Sequence, residues 1–266
     1  VSAPDPLELA LEAAREAGAA LMRHFGRIER GATRSKSAAR DLVSAADLES
    51  ERILVARLRA AFPDHAIEAE EEVHDAPALR GARWFLDPLD GTVNFVHELP
   101  FFAVSIALWI DGVPEVAVVH APRLGETWCA RAGRGTQLNG QAQRVSETAQ
   151  LGEALLATGF PYRRNELRAA GEPDNLANFA RLFYEVRGMR RMGSAALDLC
   201  QVASGRLDGF WELHLAPHDV AAGGLCVLEA GGRVSELSGA SQWLRAGSIA
   251  AAGPGLHTAL LSALRG

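Results

Sequence analysis

Apolar residues recur three and four apart near the start of the chain. Leu7, Ala10, Leu11, Ala14, Ala17 and Leu21 share one face, which predicts a helix over 7–25. Pro6 suits its first turn and Gly26 its end. Residues 29–41 are polar and irregular. A second helix is predicted over 44–61, with Ile53, Leu54 and Leu58 on its apolar face. Ser44 is its cap, and Asp47, three residues on, makes a weak capping box. Beyond Pro63 the pattern changes to short apolar runs. Residues 66–69, 83–86, 103–110, 113–120 and 126–130 read as strands. Asp111-Gly112 and Asn139-Gly140 mark two-residue hairpins. These elements make a mainly antiparallel sheet flanked by the helix pair.

After about residue 146 strands and helices alternate. Strands are predicted over 154–158, 186–192, 207–213, 234–237 and 248–252. Helices are predicted over 175–184, 195–203, 220–229 and 257–264, with Gly205 and Gly231-Gly232 as stops. The alternation predicts an α/β half. Two halves, 1–146 and 147–266, are expected to pack as one unit with a cleft between them, because no Pro-, Gly- or Ser-rich linker divides them.

The 266 residues are 48% hydrophobic, enough for a sizeable core. With 27 basic and 33 acidic residues the net charge is −6, which argues against direct nucleic-acid binding. An acidic protein handling an anionic substrate needs cations at its site. Three cysteines (129, 200, 226) without a C-x-x-C favour reduced thiols in a cytoplasmic protein. No run approaches the roughly 18 apolar residues of a membrane span. The start, VSAPDPLELA, has neither the basic nor the apolar region of a signal peptide, and none is expected.

The chemistry concentrates in Trp84 to Phe95, WFLDPLDGTVNF. An apolar run ends in two carboxylates three positions apart. Pro88 and Gly91 interrupt regular structure, which places Asp87 and Asp90 in a tight turn at a strand end. Carboxylates this close repel unless a proton or cation lies between them, and a hard divalent cation with oxygen ligands resolves the conflict. The amides of Gly91 and Thr92 are placed to face an anion. Together these describe a phosphate-hydrolysis site. The competing reading is a solvated turn with a capping Asp. Trp84, Phe85, Leu86, Phe95, Phe101 and Phe102 around the acids favour the functional one.

The run WFLDPLDGTVNFVHELPFFAVSIAL (84–108) resembles the signature of the inositol monophosphatase family, metal-dependent, lithium-sensitive phosphomonoesterases. A second stretch, PHDVAAG (217–223) through EAGG (229–232), resembles the family's other signature. KSAARDLVSAAD (36–47), FPDHAIEAEEE (62–72) and GSAALD (193–198) extend the likeness over nearly the whole chain. The resemblance implies a layered α-β-α-β-α sandwich, a homodimer, and two or three Mg2+ ions per site. It implies metal ligation by Glu70, Asp87, the Leu89 carbonyl, Asp90 and Asp219, with Asp90 bridging two ions. Ala69 replaces the first position of the family's G-E-E stretch. Thr92 and Asp47 match the pair that orients the attacking water, Asp47 otherwise reading as a helix cap. Glu70 stands with them as a catalytic group. Asp90, Gly91, Thr92, Gly193, Ser194, Ala195, Glu212 and Asp219 match the substrate side, where Glu212 accepts hydrogen bonds from ring hydroxyls. Without the resemblance Glu212 reads as a surface edge residue, and Glu71 and Glu72 read as solvated. His218 stands where the family has a tryptophan, which leaves the ligand intact but alters local packing. His218 is not expected to ligate metal, and His97 and His120 read as structural or exposed.

The function implied is magnesium-dependent hydrolysis of inositol 1-phosphate and related polyol phosphates. Related substrates are histidinol phosphate, fructose 1,6-bisphosphate and 3′-phosphoadenosine nucleotides, and Glu212 with GSAALD favours the inositol-like branch. A regulatory, protein-binding role on the same fold stays open, because fold does not decide function. An aspartyl-phosphate mechanism is rejected, since it uses D-x-D and two residues separate Asp87 from Asp90. No P-loop, dinucleotide fingerprint or H-E-x-x-H occurs.

Overall fold

Asp5 opens the first helix by accepting from the amides of Leu7 and Glu8, and Pro6 takes the first position, where no donor is needed. α1 (Pro6–His24) lays Ala10, Ala13, Ala14, Ala17 and Leu21 into the core. Its small residues let it approach the sheet closely. A Cβ on Gly18 would fall 2.6 Å from the His120 ring. The structure is a computed structural model and describes residues 4–27, 34–35, 42–43, 45–75 and 81–265. The Ser44 cap, most of KSAARDLVSAAD and most of the polar stretch 29–41 lie outside these residues. Within that region β1 (Arg34–Ser35) pairs antiparallel with β2 (Leu42–Val43). α2 (Ala45–Ala61) follows, and it buries Asp47, Ser50 and Glu51 beside Leu54 and Leu58.

The first large sheet has seven strands in chain order. They are β3 (Ala66–Ala69), β4 (Ala82–Asp90), β5 (Ala103–Ile110), β6 (Val113–Ala121), β7 (Glu126–Arg131), β8 (Gly135–Leu138) and β9 (Gln141–Ala142). Only β3 and β4 pair in parallel. The helical turn α3 (Thr92–Val96) joins β4 to β5. Asp111 and Gly112 both have positive φ, as do Asn139 and Gly140, which is the geometry a tight hairpin demands.

The second large sheet gathers β10 (Leu155–Thr158), β11 (Gly188–Arg190), β12 (Gly209–Leu213), β13 (Arg233–Ser235) and β14 (Ser248–Ala252) in the order β11-β10-β12-β14-β13. The helices among them are α4 (Arg164–Ala170), α5 (Leu176–Leu182), α6 (Ala195–Ala203), α7 (Pro217–Glu229) and α8 (Pro254–Arg265). α1 and α2 cover the outer face of the first sheet. α6 and α7 fill the space between the sheets, and α5 and α8 cover the outer face of the second. This is the α-β-α-β-α sandwich expected.

The differences from expectation have local causes. α4 has no apolar period, since only Leu167 is buried. α5 starts after Asn175, which is held at φ 73° because its buried amide bonds Thr158 and Gly159 and accepts from Trp211. The strand expected over 186–192 shortens to β11, since the chain turns at Gly193, φ 88°. α7 begins three residues before the predicted start, with Pro217 at its first position. Among the described residues no helix is long and apolar enough to cross a membrane, and all three cysteines are free.

Candidate active site

β4 runs through the core as Trp84-Phe85-Leu86 and does not stop there. The expected tight turn after Leu86 is instead a bulged continuation of the strand to Asp90. Asp87 pairs with Ser105 and Asp90 with Ala103, so three steps on β4 face two on β5. One extra residue bends the strand and re-aims its side chains. Pro88 tolerates the bulge because it has no donor to lose, and its carbonyl accepts from Ser50 Oγ at 2.8 Å. Asp87 Oδ1 accepts from the Leu89 amide at 3.0 Å. Gly91 then turns at φ 89°, where a Cβ would lie 2.9 Å from the Phe101 carbonyl. Thr92 starts α3 and donates its hydroxyl to the Leu89 carbonyl at 3.0 Å.

Glu70, Asp87, Leu89, Asp90, Gly91, Thr92 and Asp219 all line one cavity of about 60 Å³, with Val93 and Tyr162. Glu70 follows β3, and its amide donates to the Leu86 carbonyl at 3.1 Å. The turn behind it is held by Glu51, a residue that sequence reasoning passes over. The buried Glu51 carboxylate accepts from the amides of Glu71, Glu72 and Val73 at 2.8, 2.8 and 3.1 Å. The signal is present in the sequence: Glu51 shares the face of α2 that carries Leu54 and Leu58 inward. Asp219 sits in the first turn of α7, and its Oδ2 accepts from the Ala216 amide at 2.6 Å. A carboxylate is favoured there by the helix dipole. Asp47 is fully buried on α2 and near enough for its charge to act on Asp87.

A larger cleft of about 220 Å³ shares Glu70, Asp90 and Asp219 and is bounded on its far side by Gly193, Ser194, Ala195 and Glu212. Ser194 caps α6 and donates to Asp90 Oδ2 at 2.6 Å, while the Ala196 amide donates to the same oxygen at 2.8 Å. The Ser194 hydroxyl is therefore engaged by a carboxylate. Asn94 donates to the Phe101 carbonyl at 2.7 Å and the Met192 carbonyl at 2.8 Å, which fixes the turn before Gly193. A Cβ on Gly159 would fall 2.1 Å from both Glu212 carboxylate oxygens, so glycine makes room for that group. His218 also lines the cleft, with Nε2 3.7 Å from Asp219 Oδ1. His97 caps the end of α3, and His120 packs beneath α1. Tyr162, Arg191 and Asp198 line the cleft as well; the sequence pattern marks out neither Tyr162 nor Arg191, and it includes Asp198 only as the end of the GSAALD run.

The acids strain one another. Burial first, then Glu70, Asp90, Asp219 and Asp47, push Asp87 well above the usual carboxylate range. Burial lifts Asp90 to about 7, against the opposing Ser194 hydrogen bond and with the help of Asp219. Glu212 rises to about 8 through burial and then Asp219, opposed by Arg191. Asp198 is also pushed well up, by burial and then by Glu212. Among the described residues, no basic side chain lines the smaller cavity. An all-oxygen donor set with excess negative charge fits a hard divalent cation. Among the described residues no three such groups stand close enough together to hold one ion as they are.

Buried carboxylates at a bulged strand end, facing a helix N-terminus across a cleft between two sheets, define the class: a layered phosphatase fold with a site suited to metal. The comparisons with known proteins agree. Residues 5–266 match the inositol monophosphatase family, and the chain belongs to it. It is 43% identical over 265 residues to the Nus factor SuhB of Pseudomonas aeruginosa, covering 97% of this chain and 95% of that one. The inositol monophosphatase of Anabaena superposes with a TM-score of 0.87 at 39% identity, covering 97% of this chain and 94% of that one. The extragenic suppressor protein suhB of Bartonella henselae superposes at 0.88 with 37% identity, covering 97% of each.

Proposed function

We propose that the protein is a magnesium-dependent phosphomonoesterase that hydrolyses inositol 1-phosphate and related polyol phosphates. The observation that carries this reading is the convergence of Glu70, Asp87, Asp90 and Asp219 on one cavity that shares Glu70, Asp90 and Asp219 with the Glu212 cleft. These four carboxylates and the Leu89 carbonyl are the groups that would hold two or three Mg2+, with Asp90 shared between sites. Bound there, the ions neutralise the phosphate and lower the pKa of water. Thr92, Asp47 and Glu70 orient and activate the attacking water. The Gly91 and Thr92 amides face the phosphate. Gly193, Ser194 and Ala195 line the alcohol side, and Glu212 accepts hydrogen bonds from its ring hydroxyls. Halves 1–146 and 147–266 supply the two sides of one site, and the protein works as a cytoplasmic homodimer.

The test is phosphate release from a panel of phosphomonoesters with Mg2+, including histidinol phosphate, fructose 1,6-bisphosphate and a 3′-phosphoadenosine nucleotide. Inositol 1-phosphate is expected to lead, with inhibition by Li+ and by high Mg2+. Undiminished turnover in excess EDTA would sink the metal reading.

A second reading is a regulatory role beside hydrolysis. It is favoured by the names of the relatives, a Nus factor and an extragenic suppressor, which do not describe a phosphatase. An Asp90→Asn protein that loses turnover yet restores growth to a deletion strain supports it.

A further inference from the structure

Asp198 belongs to the GSAALD run, yet the roles above leave it unused. It lies in the first turn of α6, one turn beyond Ser194, and its amide donates to the Ser194 carbonyl at 2.9 Å. An acid is common at that place in a helix, since the dipole favours it. Such acids are ordinarily solvated, and Asp198 is 1% exposed. Its Oδ1 is buried with no hydrogen-bond partner, although the residue lines the large cleft. Buried polar atoms without partners are rare and costly, so each one asks what satisfies it.

The surroundings narrow the answer. Glu212 and Asp90 act on Asp198 electrostatically, against the opposing charge of Arg191, so the carboxyl stands near the alcohol side of the cleft. A second anion would be repelled by these acids, and an apolar group would leave them unpaired. Hydroxyl groups, which both donate and accept, suit a pair of buried carboxyl groups.

We propose that Asp198 is a specificity-determining residue that accepts a hydrogen bond from a second hydroxyl of the substrate alcohol, beside the one read by Glu212. The pair selects phosphate esters of alcohols with neighbouring hydroxyls. This rests on the phosphatase reading of the cleft and narrows its substrate class.

The test compares kcat/KM for inositol 1-phosphate and for p-nitrophenyl phosphate in the full chain with Mg2+, in wild type, Asp198→Ala and Asp198→Asn. Calorimetric titration of inositol 1-phosphate in Ca2+ reads recognition apart from turnover. Asp198→Ala is expected to lower the ratio of the two kcat/KM values about 2- to 12-fold, the worth of one hydrogen bond to a neutral carboxyl group. Polyol binding should weaken in step. Asp198→Asn, which keeps the size and one acceptor, is expected to retain more of the ratio and a wild-type Tm. An unchanged ratio in both variants overturns the proposal, as does an equal fall for both substrates, which marks a packing role. A wild type that hydrolyses the aryl ester but neither turns over nor binds the polyol ester overturns it too and leaves the phosphatase reading standing. A wild type that hydrolyses neither ester breaks that reading instead. Weaker calorimetric binding by Asp198→Ala then still supports the role of Asp198.

Discussion

The two sides of the cleft are built in opposite ways. The acidic side is mostly local: Asp87 to Thr92 are six consecutive residues, shaped by one bulge and one glycine turn, and Glu70 and Asp219 join them from elsewhere. The alcohol side is scattered: Gly193 to Ala195 and Glu212 come from the start of a helix and from a strand of the second sheet. It is placed by long-range bonds, such as Ser194 to Asp90 across 104 residues and Asn94 to Met192 across 98. In the proposed function, the local side carries the chemistry. The scattered side is free to change what is bound there. Substitutions on the first should abolish turnover, and those on the second should redirect it.

The sharpest test of this division is Asp90→Asn. A change in a proposed bridging ligand should reduce kcat/KM for every phosphomonoester by more than about 100-fold, beyond the 10- to 100-fold typical of groups that only support a ligand. Near-normal turnover of any substrate would remove Asp90 from the acidic side. Next in size is Glu212→Ala. It should lower kcat/KM for inositol 1-phosphate about 10- to 150-fold more than that for an aryl phosphate, with the Mg2+ requirement little changed. An equal loss for both esters would place Glu212 with the fold or the metal side.

Glu51→Gln probes the support behind Glu70. One carboxylate holds three amides of the turn that follows Glu70. Weakening that cradle should raise the Mg2+ concentration for half-maximal rate by about 10- to 100-fold and leave substrate preference intact. A change in preference without a change in Mg2+ dependence would reverse the assignment.

The smallest effect lies away from the cleft. Burial, then Arg15, lowers the pKa of His120 to about 4, from an ordinary 6.5. The unfolded chain then binds the proton more readily, so this contribution to stability is complete above pH 6.5 and is lost as pH falls toward 4. The Tm difference between wild type and His120→Gln should shift against wild type over that range. The carboxylates with raised pKa act in the opposite direction and cancel in the comparison. A pH-independent difference would show that His120 does not carry it.

What can be read from the sequence follows the same division. The Asp87–Thr92 stretch announces itself, because an acidic turn that stays in solvent seldom lies between aromatic runs. The helix pair and hairpins are legible from period and turn chemistry. The predicted start of α2 falls within a residue of the observed one, and the Asp111-Gly112 and Asn139-Gly140 turns fall in place. The bulge is not legible, since Pro88 reads as a stop in one dimension and becomes a tolerated irregularity only beside β5. α4 escapes prediction because its seven residues bury only Leu167. Glu51 and Asp198 look like ordinary helix acids until packing removes their water. Glu212 and Ser194 are legible only through resemblance, because nothing near them in sequence reveals Gly159 or Asp90 as neighbours.

The bonds from Ser194 and Ala196 to Asp90 Oδ2 also join the two sheets thermodynamically. That carboxylate ends a strand of one sheet and receives donors from the helix wedged against the other. A cation bound at Asp90, as proposed above, would act through both bonds on the first turn of α6. Any ligand that binds only the folded chain adds its binding free energy to stability. Here the gain falls on the joint between the sheets, since neither sheet alone holds both ends of the contact. On the metal reading proposed above, the affinity of the site and the docking of the two sheets would then be one coupled equilibrium.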